Sequence, residues 1–199
     1  MEGPLTFRPG AKADASALAV LVDIAGEGLP AYLWSTLKAP GQSILEVGRE
    51  RAARETGGFS YRNAIIAEAG GEVAACLVGY RLDDPYDLGG LEQVPALVRP
   101  LVLLEAKAPG SWYVNVLATF PEFRRRGLGM ALLRLAEERA CEAGAPALSV
   151  IVAGENEPAA RLYKAAGYQT RAAEPIFAYP GCQHGGDWVL MVKSLPADA

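Results

Sequence analysis

Between Trp112 and Ala153 the hydrophobic period changes twice, and this stretch constrains the fold more than any other. "WYVNVLAT" is rich in aromatic and β-branched residues and reads as a buried strand that Pro121 ends. From Leu128 to about Gly144 the period becomes helical. Leu128, Ala131, Leu132, Leu135 and Ala136 share one face, and Arg134, Glu137, Glu138 and Glu142 lie opposite. "ALSVIVA" is a second buried strand. Strand, helix and strand in that order make a parallel crossover, which belongs to an α/β sheet.

The flanking sequence extends the same pattern. "LTFRP" reads as a first strand ending at Pro9. Asp14 or Ser16 can cap a helix with Leu18, Leu21, Val22 and Ala25 on one face, which Gly26, Gly28 and Pro30 stop. "SILEVGRERAARETG" reads as a second helix terminated by Gly57-Gly58. Apolar runs at 64–69 and 72–82 flank Gly70-Gly71, a hairpin signature. Residues 83–110 read as an excursion with a short helix near 94–106, a segment that could cover or line a site. "EPAARLYKAAG" is a short helix with Pro158 in its first turn and Gly167 at its end. "YQTRAAEPIFAY" and "DWVLMVKSL" are two last strands. The order is β-α-α-β-β, the excursion, then β-α-β-α-β-β, with both parallel crossovers in the second half. With no linker, repeat or low-complexity tract, the 199 residues read as one α/β domain.

Bulk properties remove several function classes. Nineteen basic against 23 acidic residues leave a formal charge of -4, against the broad positive surface that nucleic-acid binding needs. The start "MEGPLTFRPG" lacks the features of a signal peptide, and no apolar run reaches the roughly 20 residues of a membrane span. Cys76, Cys141 and Cys182 are odd in number and far apart, which suits a reducing cytoplasm and argues against a disulfide framework or a zinc site. His184 is the single histidine, so no histidine-rich metal centre can form and no metal is expected.

An acidic chain that places Arg124, Arg125 and Arg126 beside Gly127 and Gly129 raises a specific question. The turn follows a strand and opens a helix. The first turn of a helix leaves backbone N–H groups without internal partners, and its dipole favours an anion. Glycines remove Cβ atoms and allow close approach, while arginines add forked donors. That combination can cradle a diphosphate; alone it equally describes a solvated strand-to-helix turn. It lacks the Gly-Lys-Ser/Thr of a nucleotide-hydrolase loop and the G-x-G-x-x-G spacing of a dinucleotide site.

The segment "VNVLATFPEFRRRGLGMALL", with "GAPALSVIVAGENEPAARLYKAAGY" after it, resembles the GCN5-related N-acetyltransferase (GNAT) family. Arg124, Gly127 and Gly129 fill that family's Q/R-x-x-G-x-G/A turn, and Asn156, Ala159, Tyr163, Gly167 and Tyr168 fill its downstream motif. The close resemblance covers residues 112–168. It implies a mixed, mostly antiparallel sheet of about seven strands, splayed between the fourth and fifth and flanked by helices. It implies acetyl-CoA as cosubstrate and transfer of its acetyl group to a primary amine of a small molecule or peptide. Leu117, Ala118 and Thr119 would lie beside the thioester and pantetheine, with Arg124, Arg125, Arg126, Gly127, Leu128, Gly129 and Met130 around the pyrophosphate. Asn156 would bond the pantetheine region and also cap its helix. Tyr163 would serve the departing sulfur, and a backbone N–H near Leu117 would polarise the carbonyl. A homodimer is the family expectation.

The base is not carried over by the resemblance. Tyr113 and Ile151 stand where family branches place a glutamate. Glu105, Glu27 and His184 are the remaining candidates, each otherwise a solvated surface group, with Glu105 first. A water chain ending on backbone carbonyls is another route. Tyr32, Trp34, Tyr61, Tyr80 and Trp112 can line an acceptor pocket or simply fill the core. Two other readings stay open: a non-catalytic acyl-CoA-binding or sensor module, and an acyltransferase with another acyl-CoA or acceptor.

Overall fold

Gly70 and Gly71 both adopt left-handed φ, at 63° and 87°, and reverse the chain between β2 (Ala64–Ala69) and β3 (Glu72–Arg81). The hairpin expected from the paired glycines therefore forms, with Ala69 opposite Glu72. The structure, a computed structural model, describes residues 3–196. Its other strands are β1 (Leu5–Pro9), β4 (Trp112–Thr119), β5 (Ala147–Ala153), β6 (Gln169–Pro175) and β7 (Asp187–Ser194). They form one seven-stranded sheet in the order β1-β2-β3-β4-β5-β7-β6. Among the described residues β4 and β5 pair in parallel, with Trp112 opposite Leu148, Tyr113 opposite Ser149 and Val114 opposite Val150. Residues 115–119 lie beyond that register. The second crossover runs from β5 to β6 past the place that β7 takes, antiparallel to both.

The helices are α1 (Ala15–Ala25), α2 (Leu29–Ser35), α3 (Ile44–Ala52), α4 (Arg99–Glu105), α5 (Leu128–Glu142) and α6 (Glu157–Ala165). Three details depart from the sequence expectations. Pro30 does not only stop α1; it stands in the first turn of α2, where its missing N–H costs nothing. The helix at 44 ends at Ala52, ahead of Gly57. Asp14 makes no side-chain cap bond on α1. Its carboxylate instead accepts from Arg8 Nη1 and Nη2 at 2.7 and 2.8 Å and from Ala11 N at 2.7 Å.

The residues group into two compact units. The first comprises the chain up to Gly79, Asn115–Leu133 and Pro180–Gln183. Its core joins Leu18, Leu21 and Val22 of α1 to Trp34, Val47, Ile66, Cys76 and Val116. Gly48 on α3 faces the Trp34 ring, and a Cβ there would lie 2.5 Å from Cζ3. The second unit comprises Tyr80–Val114, Arg134–Tyr179 and the chain from His184 onward. Leu104, Leu148, Val150, Leu190 and Met191 are buried in it. Two buried hydroxyls, Ser111 Oγ and Ser149 Oγ, satisfy each other at 2.7 Å, and Ser111 Oγ lies 2.7 Å from Ala108 O.

Candidate active site

In the first unit, β4 runs into a 3-10 turn at Pro121–Phe123 and then into α5. Arg125 takes φ 64° and Gly127 φ 77°. The first is uncommon for a residue with a Cβ. A Cβ built on Gly127 would meet nothing within 4 Å, so the space before this backbone is open. Leu128 is buried and anchors the start of α5. Ala131 N donates to Gly127 O at 3.0 Å. The N–H groups of Leu128, Gly129 and Met130 precede that first bond and have no carbonyl within the helix to reach. Arg124 Nε donates to Thr119 O and Arg126 Nη2 to Glu122 O, both at 3.4 Å, and Arg126 also lies over the Phe123 ring at 5.3 Å. The arginines remain exposed, so their charge stays at the rim of the turn. These residues suit a diphosphate: open backbone donors, no Cβ in the way and three cations beside them.

Just upstream, Ala118 is buried while Leu117 and Thr119 are half-buried. Full burial pushes the Cys76 thiol up to about 12, which leaves it protonated and unsuited to nucleophilic work.

In the second unit, Asn156 caps α6, its Oδ1 accepting from Ala159 N at 3.1 Å. Pro158 sits in the first turn and Gly167, at φ 93°, follows the helix end, as the sequence suggests. Tyr163 is buried on α6, its ring 5.7 Å from that of Tyr168. The Tyr168 hydroxyl is buried without a hydrogen-bond partner among the described residues.

Glu105, at the end of α4, is half-buried rather than solvated. Tyr86 Oη donates to its Oε2 at 2.6 Å. Loss of solvent raises the Glu105 carboxyl above its ordinary range, and the Tyr86 bond opposes that rise. Tyr80 and Tyr113 meet edge to face at 5.9 Å. Burial raises the phenols of Tyr80, Tyr86 and Tyr113, and the nearby Glu105 charge raises each further. Four residues far apart in sequence thus share one electrostatic neighbourhood. Tyr86 carried no sequence signal, because a tyrosine in the irregular stretch "DDPYDLGG" fits no period or spacing.

The other candidates fare differently. Glu27 is buried, 8% exposed, at φ 53° between α1 and α2, so the expectation of a solvated group is corrected. His184 is half-buried, with Nδ1 3.8 Å from Glu155 Oε2. Trp34 belongs to the first unit's core and Trp112 is buried in the second. Tyr32 and Tyr61 are half-buried, and Tyr61 Oη bonds Glu55 at 2.9 Å. Among the described residues no group of histidine, cysteine and carboxylate side chains could hold a metal ion, and no single helix is long and apolar enough to cross a membrane.

A family model for the GNAT acetyltransferases matches residues 32–168, and the chain belongs to that family. No curated protein matches it. Among solved structures, an agmatine N-acetyltransferase mutant is 16% identical with a TM-score of 0.67, over 96% of this chain and 99% of that one. The polyamine N-acetyltransferase of Drosophila melanogaster is 15% identical with a TM-score of 0.65, over 96% of this chain and 100% of that one. A candidate acetyltransferase from Salmonella typhimurium, solved with its cofactor acetyl-CoA, is 18% identical with a TM-score of 0.61, over 98% and 96%. At these identities the likeness is one of fold. The mostly antiparallel seven-stranded sheet flanked by helices is the expected arrangement.

Proposed function

We propose that this chain is an N-acetyltransferase that moves the acetyl group of acetyl-CoA to a primary amine of a small molecule or peptide. The observation that carries this reading is the open backbone at Gly127 where the basic turn meets the first turn of α5. When bound there, acetyl-CoA supplies an activated acetyl thioester. The backbone N–H groups of Arg125 to Met130 hold its pyrophosphate, and Arg124, Arg125 and Arg126 add guanidinium charge. Leu117, Ala118 and Thr119 line the pantetheine arm, and the Leu117 backbone N–H stabilises negative charge on the carbonyl oxygen. Asn156 bonds the arm while capping α6, and Tyr163 Oη supplies a proton to the leaving sulfur. A small-molecule acceptor is supported by neighbours named for agmatine and polyamines. A cytoplasmic location and a homodimer complete the reading.

The test is an acetylation screen over polyamines, aminoglycosides, amino acids and peptides, read by product mass and free-thiol release. An amine gaining one acetyl group with release of one thiol is the expected result. Tight acetyl-CoA binding without turnover on any amine would identify a binding module instead. Absence of acetyl-CoA binding would remove the cofactor assignment altogether.

A further inference from the structure

Tyr168 combines two properties that a core residue seldom has together. Its side chain is 2% exposed, and its hydroxyl has no hydrogen-bond partner among the described residues. An unmade bond on a buried hydroxyl costs stability, and phenylalanine would fill the same space without that cost. The residue is also tied to Tyr163 twice. Its backbone N–H donates to Tyr163 O at 3.0 Å across the end of α6, and the two rings meet 5.7 Å apart at 60°. Gly167, at φ 93°, lies in the turn between them. The other charged groups at this corner do not take up the hydroxyl. Glu137 of α5, whose charge reaches Tyr168, is bonded by Lys193 of β7, and the Lys193 stem lies 3.5 Å from where a Gly167 Cβ would stand. Tyr113 of β4 lies in the field of Tyr163 as well. Burial raises the Tyr168 phenol, and the charges of Tyr163 and Glu137 raise it further, so it keeps its proton and stays a hydrogen-bond donor.

We propose that Tyr168 is a positioning residue whose idle hydroxyl is reserved for the charge that forms on Tyr163. This inference rests on the acetyl-transfer reading with Tyr163 as proton donor. As the acetyl group leaves, the Tyr163 O–H bond breaks, the proton forms an S–H bond on the departing thiolate, and the electron pair stays on Tyr163 Oη. Tyr163 is buried, so its phenolate is costly without a donor beside it. The Tyr168 O–H donates a hydrogen bond to that oxygen and keeps its own proton. While Tyr163 is neutral the demand is absent, and the hydroxyl waits. A donor that engages only where charge develops stabilises the transition state more than the ground state, and so raises kcat. The backbone bond and the ring contact hold the two phenols in register, and the stability cost of the idle hydroxyl is offset by rate.

Tyr168→Phe keeps the ring and removes only the hydroxyl. Its thermal midpoint should rise by about 3 °C, which also shows that the variant folds. With acetyl-CoA and the best amine of the screen, its kcat should fall about 10-fold while KM for acetyl-CoA stays nearly unchanged. The alkaline limb of its kcat profile should move to higher pH, because losing a donor to the phenolate raises the Tyr163 phenol. In a Tyr163→Phe background the same substitution should change kcat by less than about 2-fold, since the group it acts through is gone. A reading independent of turnover comes from the free full chain labelled with 3-fluorotyrosine. The fluorine resonance that is absent from Tyr163→Phe should titrate about 1 pH unit higher in Tyr168→Phe than in the wild type. Equal titration of Tyr163 in the two proteins, a lower thermal midpoint in Tyr168→Phe, or additive losses in the double variant would overturn the proposal. A wild-type rate in Tyr163→Phe would instead overturn the proton-donor reading and with it the use of the bond in turnover, while the fluorine titration would still decide the bond itself.

Discussion

The Arg-Gly turn and the Glu105 cluster solve opposite problems with opposite materials. At the turn the backbone at Gly127 faces open space, and Gly127 contributes by having no side chain at all. In the cluster, Tyr80, Tyr86, Glu105 and Tyr113 come from a strand, a loop, a helix and a second strand, and side chains do the work. An anion site built from local backbone geometry tolerates exposure, because helix N–H groups keep their direction in water. The Glu105 carboxyl is instead partly withdrawn from water, where its charge is less screened by solvent.

The largest effect should separate the two regions. Gly127→Asp adds a side chain and a negative charge where the diphosphate is to sit. It should weaken acetyl-CoA binding about 1000-fold, with stability lowered by only about 1 kcal/mol for a side chain at positive φ. Binding near wild type would remove the turn from the cofactor site.

Tyr163→Phe should lower kcat about 100-fold while leaving KM for acetyl-CoA nearly unchanged, since a proton donor acts in the transition state. An unaltered rate would strike Tyr163 from the mechanism and leave its ring packing on Tyr168 as its role.

Two carboxylates, one in each unit, should respond to pH with opposite sign. The Arg8 hydrogen bonds hold Asp14 below its ordinary value of 3.8, so its stabilisation is complete above that value and is lost as pH falls through the lower folded one. Asp14→Asn should therefore cost about 2 kcal/mol at neutral pH, reduced from the buried-pair range because Arg8 is partly exposed, and the cost should fade in acid. Burial raises Glu105, so its ionisation disfavours the folded state once pH passes the ordinary value of 4.5. Glu105→Gln should match wild type near pH 4 and gain relative to it toward pH 7. Denaturant midpoints measured between pH 3 and 8 would check both, and parallel curves would deny the contrast.

The smallest effect concerns Tyr168. Its buried hydroxyl has no partner among the described residues, so Tyr168→Phe should raise stability by roughly 1 kcal/mol by thermal melting. A loss of stability would reveal a bound water at that hydroxyl.

These regions also differ in how far they could be read beforehand. The turn was legible because all its determinants are contiguous: Pro121 closing a strand, three arginines, two glycines and the start of an apolar helical stripe. The cap by Asn156 and the stop at Gly167 were legible for the same reason. Glu105 could be named, but a solvated surface group was the default, since nothing beside it in sequence announces Tyr86 or the burial. Asp14 looked like a helix cap because aspartate before an apolar run usually is one, yet Arg8 six residues earlier outcompetes the helix N–H groups.

Sequence by itself determined most of the elements, the hairpin at Gly70-Gly71 and the strand-to-helix turn that opens α5, because periodicity and turn chemistry act over a few residues. Only tertiary structure decided the burial and company of the carboxyls, the position of β7 between β5 and β6, and the fit of Gly48 against Trp34. Helix propensity favours alanine over glycine at position 48, and a ring from another helix reverses that preference. Desolvation and steric contact depend on which distant segments meet, and that is a property of the packed chain.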